Sequence, residues 1–201
     1  MGNELNSEWY DEVYRNGGSE EIYFKHYSET PWINVWTEVF NRVKLYAGTK
    51  ILDIGCGPGQ FSNFITDIDT EIKYIGLDFS KTAIDAAIIR SPNHEFRVAN
   101  VLEYDIGSIE YDIVITMEFL EHIVQDIYVL NKIRSGTMIL ATLPNMDSEG
   151  HVRFLSKNKD TAKSEILNRY SECCDIIDIL YFPYSDSQDS NADYLIIMKK
   201  K

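Results

Sequence analysis

A short apolar strand that runs directly into three alternating glycines constrains the fold of this chain more than any other feature. The strand, residues 51–54, is followed by Gly55, Gly57 and Gly59, and helical spacing begins at once. Glycine lets a backbone turn tightly and approach a ligand with no Cβ in the way. The spacing is not the G-x-G-x-x-G of dinucleotide sites, and no Gly-Lys-Ser/Thr of a P-loop follows. The loop predicts a ligand site of another kind between a strand and a helix.

Short apolar runs alternate with helical stretches along the rest of the chain. The predicted strands are residues 50–54, 73–77, 95–98, 111–116 and 137–143. The predicted helices between them are residues 59–67, 81–91 and 120–133. Two later runs, residues 175–182 and 194–199, predict an antiparallel C-terminal hairpin. We therefore expect an α/β fold with a doubly wound, mostly parallel seven-stranded sheet, which binds ligands at the carboxyl ends of its strands.

The charge balance is strongly acidic, because 32 Asp and Glu against 19 Lys and Arg give a net charge of −13. Nucleic-acid binders rely on clustered Lys and Arg, so this balance argues against a broad phosphate-binding surface. No apolar stretch approaches the length of a membrane span, and the first ten residues lack a secretory-signal pattern. Cys56, Cys173 and Cys174 offer neither a disulfide framework nor a zinc-type pair. We expect a reduced, cytoplasmic protein.

A second carboxylate follows the second predicted strand. This strand ends at Asp78, and a carboxylate there can accept hydrogen bonds from both hydroxyls of a ribose. Asp53, the three glycines that follow it and Asp78 together resemble the class I S-adenosylmethionine-dependent methyltransferases, a Rossmann-like family. The resemblance covers residues 50–143, and it implies S-adenosylmethionine as the cofactor.

The resemblance also implies roles for individual residues. The glycine loop would face the methionine portion of the cofactor, with Asp53 near its amino group. Asp78 would hold the ribose, Phe79 would lie beside the adenine, and Asn100 would accept a hydrogen bond from the adenine amine. The implied cofactor-binding set is Asp53, Gly55, Cys56, Gly57, Gly59, Phe61, Asp78, Phe79, Ser80, Asn100, Val101, Met117, Glu118 and Phe119.

Polar side chains also follow the fourth predicted strand. Glu118, Glu121 and His122 are related as i, i+3 and i+4, so a helix that begins near Glu118 would project all three from one face. His151 lies in the loop after the fifth strand, at the same edge of the sheet. Carboxylates and imidazoles that converge there suit a divalent ion such as Mg²⁺, Mn²⁺ or Zn²⁺. The predicted metal ligands are Glu118, Glu121, His122 and His151.

This Glu-x-x-Glu-His…His pattern resembles two metal-dependent groups, the quinone-biosynthesis O-methyltransferases and the small-RNA 3′-terminal 2′-O-methyltransferases. The resemblance implies a divalent ion that grips the hydroxyls of the substrate. Two alternatives without a metal stay open. In many small-molecule methyltransferases the His of a Glu-His pair covers the cofactor or orients the substrate, and the three side chains could also be solvated surface charge. His122 and His151 are the predicted catalytic bases, because imidazole titrates near neutrality.

The N-terminal segment is rich in aromatic residues. The resemblance implies a single domain in which residues 1–46 form a helical lid over a cofactor-binding core of residues 47–201. We predict that Tyr23, His26 and Tyr27 contact the acceptor, since aromatic side chains combine flat apolar faces with polar tips. Arg153 is predicted to complement an anionic acceptor.

Three functions remain open at this stage. The first is O-methylation of a small-molecule hydroxyl, in a sugar, a quinone precursor or another metabolite, by a monomer or homodimer. The second is 2′-O-methylation of a terminal ribose in RNA, which the acidic balance disfavours. The third is a cofactor-binding protein that regulates a partner without turnover.

Overall fold

The computed structural model describes residues 4–45, 49–187 and 190–201. Its helices are α1 (Ser7–Arg15), α2 (Ile33–Val43), α3 (Gln60–Ile68), α4 (Lys81–Arg90), α5 (Asp126–Asn131) and α6 (Lys159–Tyr170). Its strands are β1 (Lys50–Ile54), β2 (Lys73–Asp78), β3 (Glu95–Val98), β4 (Ile113–Thr116), β5 (Met138–Pro144), β6 (Cys174–Pro183) and β7 (Ala192–Lys200). The predicted boundary between lid and core, at residues 46 and 47, lies outside the described residues. None of the described helices is both long and apolar enough to cross a membrane.

The seven strands form one sheet in the order β3-β2-β1-β4-β5-β7-β6. The first five pair in parallel, and β7 runs antiparallel between β5 and β6. The predicted doubly wound sheet with an antiparallel C-terminal hairpin is therefore confirmed. Its order reverses beside β1, so the carboxyl ends of β1 and β4 meet at a topological switch point, where doubly wound sheets bind ligands.

The sheet is buried on both faces, which explains why its central strands are almost continuously apolar. Successive side chains of a strand point to opposite faces, so Leu52 and Ile54 join one apolar cluster and Ile51 joins the other. The second cluster is covered by α2, whose buried stripe includes Trp36 and Phe40. This packing holds the carboxyl edge of the sheet rigid beneath the loops.

The single helix expected over residues 120–133 is wrong. The stretch Leu120–His122 is one short 3-10 turn, and α5 begins only after an extended connection. The carbonyls of Leu120 and Ile123 accept hydrogen bonds from the guanidinium of Arg153 rather than continuing a helix. These contacts come from a distant part of the chain, so local apolar spacing could not reveal the break.

Candidate active site

The three glycines after β1 need the conformational freedom that only glycine has. Gly55, Gly57 and Gly59 have φ values of 80°, 53° and 79°. A Cβ on Gly55 would lie 2.4 Å from the ring of Phe119, and one on Gly59 would lie 2.7 Å from the Cα of Ala87. The loop thus turns through left-handed conformations while it packs tightly on both sides.

The carboxylate of Asp78 organises this loop. Its Oδ2 accepts a hydrogen bond from the N–H of Gly57 at 3.0 Å, and its Oδ1 accepts one from the N–H of Ser80 at 2.9 Å. Burial raises the pKa of Asp78 to about 6, against these backbone hydrogen bonds, which lower it. The side chain of Ser80 caps α4 by accepting a hydrogen bond from the N–H of Ala83 at 3.1 Å.

The carboxylate of Asp53 lies beneath the loop rather than beside the ligand space. Its Oδ2 accepts a hydrogen bond from the hydroxyl of Tyr74, and its buried Oδ1 has no partner within the described residues. Burial raises the pKa of Asp53 to about 7, and the charge of Asp78 adds to this effect. Asp53 therefore lies beneath the loop and is not among the residues that line the ligand space.

A cavity of about 740 Å³ opens beside the loop at the carboxyl edge of the sheet. The predicted site residues in its wall are Tyr23, Gly55, Asp78, Phe79, Asn100, Val101, Glu118, Phe119, His122 and His151. Its carboxylates are Glu4, Glu12, Asp78, Glu118 and Glu149, and no Lys or Arg stands among the described lining residues. The predicted site residues outside the wall are His26, Tyr27, Asp53, Cys56, Gly57, Gly59, Phe61, Ser80, Met117, Glu121 and Arg153.

Three residues that were predicted to contact the cofactor or the acceptor lie away from the cavity, because they belong to α3 or pack beside it. Phe61 is buried against Trp36, with ring centroids 5.8 Å apart, and belongs to the apolar core. The hydroxyl of Tyr27 donates to Asp67 at 2.9 Å, and His26 caps the short turn beside it. These three side chains therefore lie outside the cavity wall, and their predicted contacts with cofactor or acceptor stay predictions.

Arg153 also has a structural position. Besides its bonds to the Leu120 and Ile123 carbonyls, its Nη1 lies 3.3 Å from the fully buried carboxylate of Asp126. Arg169 binds the same carboxylate through two nitrogens, at 2.6 and 2.7 Å. The guanidinium of Arg153 is thus engaged in the chain itself and lies outside the wall of this cavity, and its contact with an anionic acceptor stays a prediction.

Three of the four predicted metal ligands converge on one point. Potential ligand atoms of Glu121, His122 and His151 all lie within 4.8 Å of one another. The imidazole rings of the two histidines are 4.7 Å apart, and His122 Nε2 lies 3.7 Å from Glu121 Oε1. Both carboxylate oxygens of Glu121 are buried and have no partner within the described residues. This cluster, which we call the Glu-His-His cluster, has the composition of a divalent metal site.

The Nδ1 atoms of both histidines lie within hydrogen-bonding distance of backbone carbonyls. His122 Nδ1 lies 3.2 Å from the carbonyl of Gly150, and His151 Nδ1 lies 3.1 Å from the carbonyl of Met146. A carbonyl can only accept, so Nδ1 of His151 carries the proton and its Nε2 keeps a free lone pair. Nδ1 of His122 also lies 2.8 Å from the hydroxyl of Tyr10, which can either donate or accept. Burial and the neighbouring His151 lower the pKa of His122 to about 4, so its imidazole is neutral at pH 7.

Glu118 is separated from this cluster, contrary to the expected shared helix face. It has a φ of 50°, in the left-handed region. The hydroxyl of Thr142 accepts a hydrogen bond from the N–H of Glu118 at 2.8 Å and donates one to its Oε1 at 2.9 Å. Burial raises the pKa of Glu118 well above its usual range, and the nearby charges of Asp193 and Glu121 raise it further.

Helix α1 covers the cavity, and it brings a residue that the sequence analysis missed. The hydroxyl of Tyr10 lies 2.8 Å from His122 Nδ1, and its ring packs 5.3 Å from that of Phe79. Asp11 ties α1 to the start of α4 by accepting hydrogen bonds from Ser80 and Thr82. The sequence signal for Tyr10 was weak, because aromatic residues are dense throughout this segment.

Comparison with known proteins is consistent with this geometry. Residues 45–139 match a family model described as a methyltransferase domain. The chain is 31% identical over 153 residues to a mitochondrial ubiquinone biosynthesis O-methyltransferase of Schizosaccharomyces pombe, which covers 70% of this chain and 53% of that protein. It is 28% identical over 108 residues to phosphoethanolamine N-methyltransferase 1 of Triticum aestivum, which covers 52% of this chain and 22% of that protein. The chain therefore spans about half the length, or less, of these curated relatives.

Solved structures share the fold at low sequence identity. The N-methyltransferase NodS from Bradyrhizobium japonicum WM9, in complex with S-adenosyl-L-homocysteine, superposes with a TM-score of 0.61 at 13% identity, over 83% of this chain and 86% of that one. A complex of the Haloferax volcanii Trm112 methyltransferase activator with a putative methyltransferase gives a TM-score of 0.73 at 14% identity, over 98% of this chain and 99% of that one.

Proposed function

Because the chain belongs to the class I S-adenosylmethionine-dependent methyltransferases, we propose that it transfers the methyl group of this cofactor to a hydroxyl of a small molecule. The Glu-His-His cluster beside the cavity carries the proposal. A hydroxyl must lose its proton as it is methylated, through a base or through a metal that lowers its pKa. The O-methyltransferase among the relatives supports a hydroxyl acceptor.

We place the cofactor along the glycine loop. Asp78 lines the cavity at the end of β2 and would accept hydrogen bonds from the ribose hydroxyls. Phe79, Asn100 and Val101 form the adjoining wall and would enclose the adenine. S-adenosylmethionine supplies an already activated methyl group, so these residues mainly position the cofactor and exclude water.

The residues of the Glu-His-His cluster fit a divalent ion. Glu121 is fully buried and its two oxygens lack donors, a costly arrangement unless a cation completes it. His151 offers a free Nε2 while the carbonyl of Met146 fixes its ring through Nδ1, and the ring of His122 is held by Gly150 and Tyr10, as in metal sites with an ordered outer shell. A divalent ion held by Glu121, His122 and His151 would polarise the acceptor hydroxyl and lower its pKa.

The lowered pKa of His122 favours this role over general-base catalysis. A base works best when its pKa is near the working pH, whereas that of His122 is lowered to about 4 by burial and by His151. A neutral imidazole with this pKa remains available as a metal ligand at neutral pH.

The charge of the cavity favours a small acceptor over RNA. Five carboxylates stand in the wall, and its described residues include neither Lys nor Arg. An RNA chain brings a phosphate with every nucleotide and is normally met by basic side chains. We therefore propose a metabolite as the acceptor.

Calorimetry tests the binding steps of this proposal. We expect purified protein to bind S-adenosylmethionine, and the complex with S-adenosylhomocysteine to bind one Mn²⁺ that the His151→Ala variant does not bind. Incubation with labelled cofactor and separate pools of metabolites and small RNA then identifies the acceptor class. Absence of cofactor binding, or label that enters RNA alone, would overturn the proposal.

A further inference from the structure

The cavity wall contains a pair of carboxyl groups that the proposed metal site does not use. Glu118 lines the cavity, and Asp193 on β7 is fully buried next to it. The hydroxyl of Tyr184 donates to Asp193 Oδ1 at 2.8 Å, and the side chains of Asp193 and Glu118 hydrogen-bond to each other. Burial raises the pKa of Asp193 to about 6. Two carboxyl groups that share one proton keep one negative charge, and no Lys or Arg of the described cavity wall stands beside it.

The backbone at Glu118 supports a binding role for this pair. Glu118 has a left-handed conformation, which is strained at a residue other than glycine and persists where surrounding contacts enforce it. Thr142 enforces it here with two hydrogen bonds, one to the N–H and one to the carboxyl group. These two hydrogen bonds thus hold the carboxyl group of Glu118 at the cavity in spite of the strained backbone.

Aromatic rings form the neighbouring wall. Tyr23 and Trp32 both line the cavity and stack with ring centroids 6.4 Å apart, and Tyr14 meets Tyr23 edge-on at 4.9 Å. Aromatic faces attract cations, most strongly where water is excluded. Next to Glu118, they form a corner that suits a positively charged group.

We propose that this corner, formed by Glu118, Asp193, Tyr23 and Trp32, binds a protonated amine on the methyl acceptor. The substrate class is then a hydroxyl compound that carries an ammonium group, in place of the anionic acceptor expected for Arg153. The inference rests on the proposed function, because it assumes that the acceptor enters this cavity. The described cavity wall contains no Lys or Arg, so a cationic ligand would balance the negative charge of the pair formed by Glu118 and Asp193.

Three catechols with different side-chain charges test this inference. Dopamine carries an ammonium group, 4-ethylcatechol is neutral and 3,4-dihydroxyphenylacetate is anionic, while all three present the same hydroxyls. We expect calorimetry on protein saturated with S-adenosylhomocysteine and Mn²⁺ to give dopamine an affinity about tenfold above that of 4-ethylcatechol, with the anion weakest. Saturation with the cofactor product keeps the cofactor's own amino group from competing for the corner.

Substitutions in the corner test whether its carboxyl groups cause the preference for dopamine. In Asp193→Asn and Glu118→Gln the advantage of dopamine over 4-ethylcatechol should fall below about threefold, because the corner loses charge. Glu12→Gln is the matched control, since Glu12 also lines the cavity but is exposed and paired with Arg15. This variant should keep the full advantage.

Each outcome decides the inference. Equal affinities, no measurable dopamine binding, or an advantage that survives both Asp193→Asn and Glu118→Gln would overturn it. So would an Asp193→Asn variant that loses affinity for S-adenosylhomocysteine alone, because the cofactor would then be the occupant of the corner. Failure of the wild-type protein to bind S-adenosylhomocysteine would instead contradict the proposed function.

Discussion

Buried carboxyl groups in this protein are of two kinds. Asp126 is fully buried and ion-paired with both Arg153 and Arg169, so its charge is balanced within the fold. Asp78 and Glu121 are buried at the cavity without such a cation in the described residues, and burial raises the pKa of each. Since an unbalanced buried charge is costly, a cation bound at this cavity would stabilise both groups in their charged form, as the proposed function requires.

The two histidines of the Glu-His-His cluster give the first prediction at this scale. His122→Ala and His151→Ala should each lower kcat by at least about 100-fold, because each removes a ligand of the proposed divalent ion that activates the acceptor hydroxyl. Affinity for S-adenosylhomocysteine should stay within a few-fold, since Asp78 and the glycine loop are unchanged.

His26→Ala is the matched control for these variants, because the structure places His26 beside α3, outside the cavity wall. Steady-state kinetics and calorimetry on all three proteins check the prediction. Full turnover in both His122→Ala and His151→Ala would remove histidine from the mechanism.

Asp53 gives a prediction about stability and pH. Burial raises its pKa from 3.8 to about 7 in the folded protein, so its neutral form favours folding. The folded state binds one more proton at Asp53 than the unfolded state does. The contribution of this proton to the unfolding free energy is complete below pH 4 and is lost as the pH rises through 7. Between pH 4 and 8 the wild type should therefore lose more unfolding free energy than Asp53→Asn, by at most about 4 kcal/mol.

Urea unfolding of both proteins across this pH range measures the difference. The asparagine retains an oxygen that can accept the hydrogen bond from Tyr74. Parallel pH profiles for wild type and variant would contradict the raised pKa of Asp53.

At the scale of elements, the sequence predicts best where local pattern and tertiary structure agree. Strands β1 and β3 have their expected bounds, because apolar runs between turn residues leave little choice of boundary. The break after His122 is not predictable, since it depends on Arg153. Helix α6 was missed because only a narrow stripe, Ala162, Ile166 and Tyr170, is buried.

The same distinction holds for the site. The glycine loop and Asp78 are encoded by local spacing, and the structure places them together as expected. Tyr10 and Asp193 reach the site from the two ends of the chain, through packing that no local pattern records.

The turn from β1 into α3 gives a prediction at this scale. Gly59→Ala should cost about 2–4 kcal/mol of unfolding free energy, because its Cβ would lie 2.7 Å from the Cα of Ala87 in α4. Gly136→Ala is the control, since Gly136 has a similar φ of 83° but no heavy atom within 4 Å of the added Cβ. It should cost only about 1–2 kcal/mol of backbone strain. Equal losses in denaturant unfolding would show that α3 and α4 do not pack tightly at this turn.

At the scale of the whole molecule, the structure shows where part of the net charge of −13 lies. Part of it lines the cavity, where it would meet a sulfonium cofactor, a divalent ion and an acceptor of suitable charge. The rigid sheet carries the cofactor loop and the Glu-His-His cluster on one edge, and α1 covers them. In the proposed function this arrangement would bring the methyl donor and the acceptor hydroxyl into one enclosed space, which is most of what methyl transfer requires.

The most direct test is the initial rate of methyl transfer from labelled S-adenosylmethionine into a small-molecule fraction, measured with Mn²⁺ and with a chelator. We predict that label enters this fraction, and that the chelator and the His151→Ala substitution each reduce the rate by at least about 100-fold. Label in neither small molecules nor RNA, despite bound cofactor, would contradict enzymatic transfer. A rate unaffected by the chelator would contradict the divalent ion held by Glu121, His122 and His151.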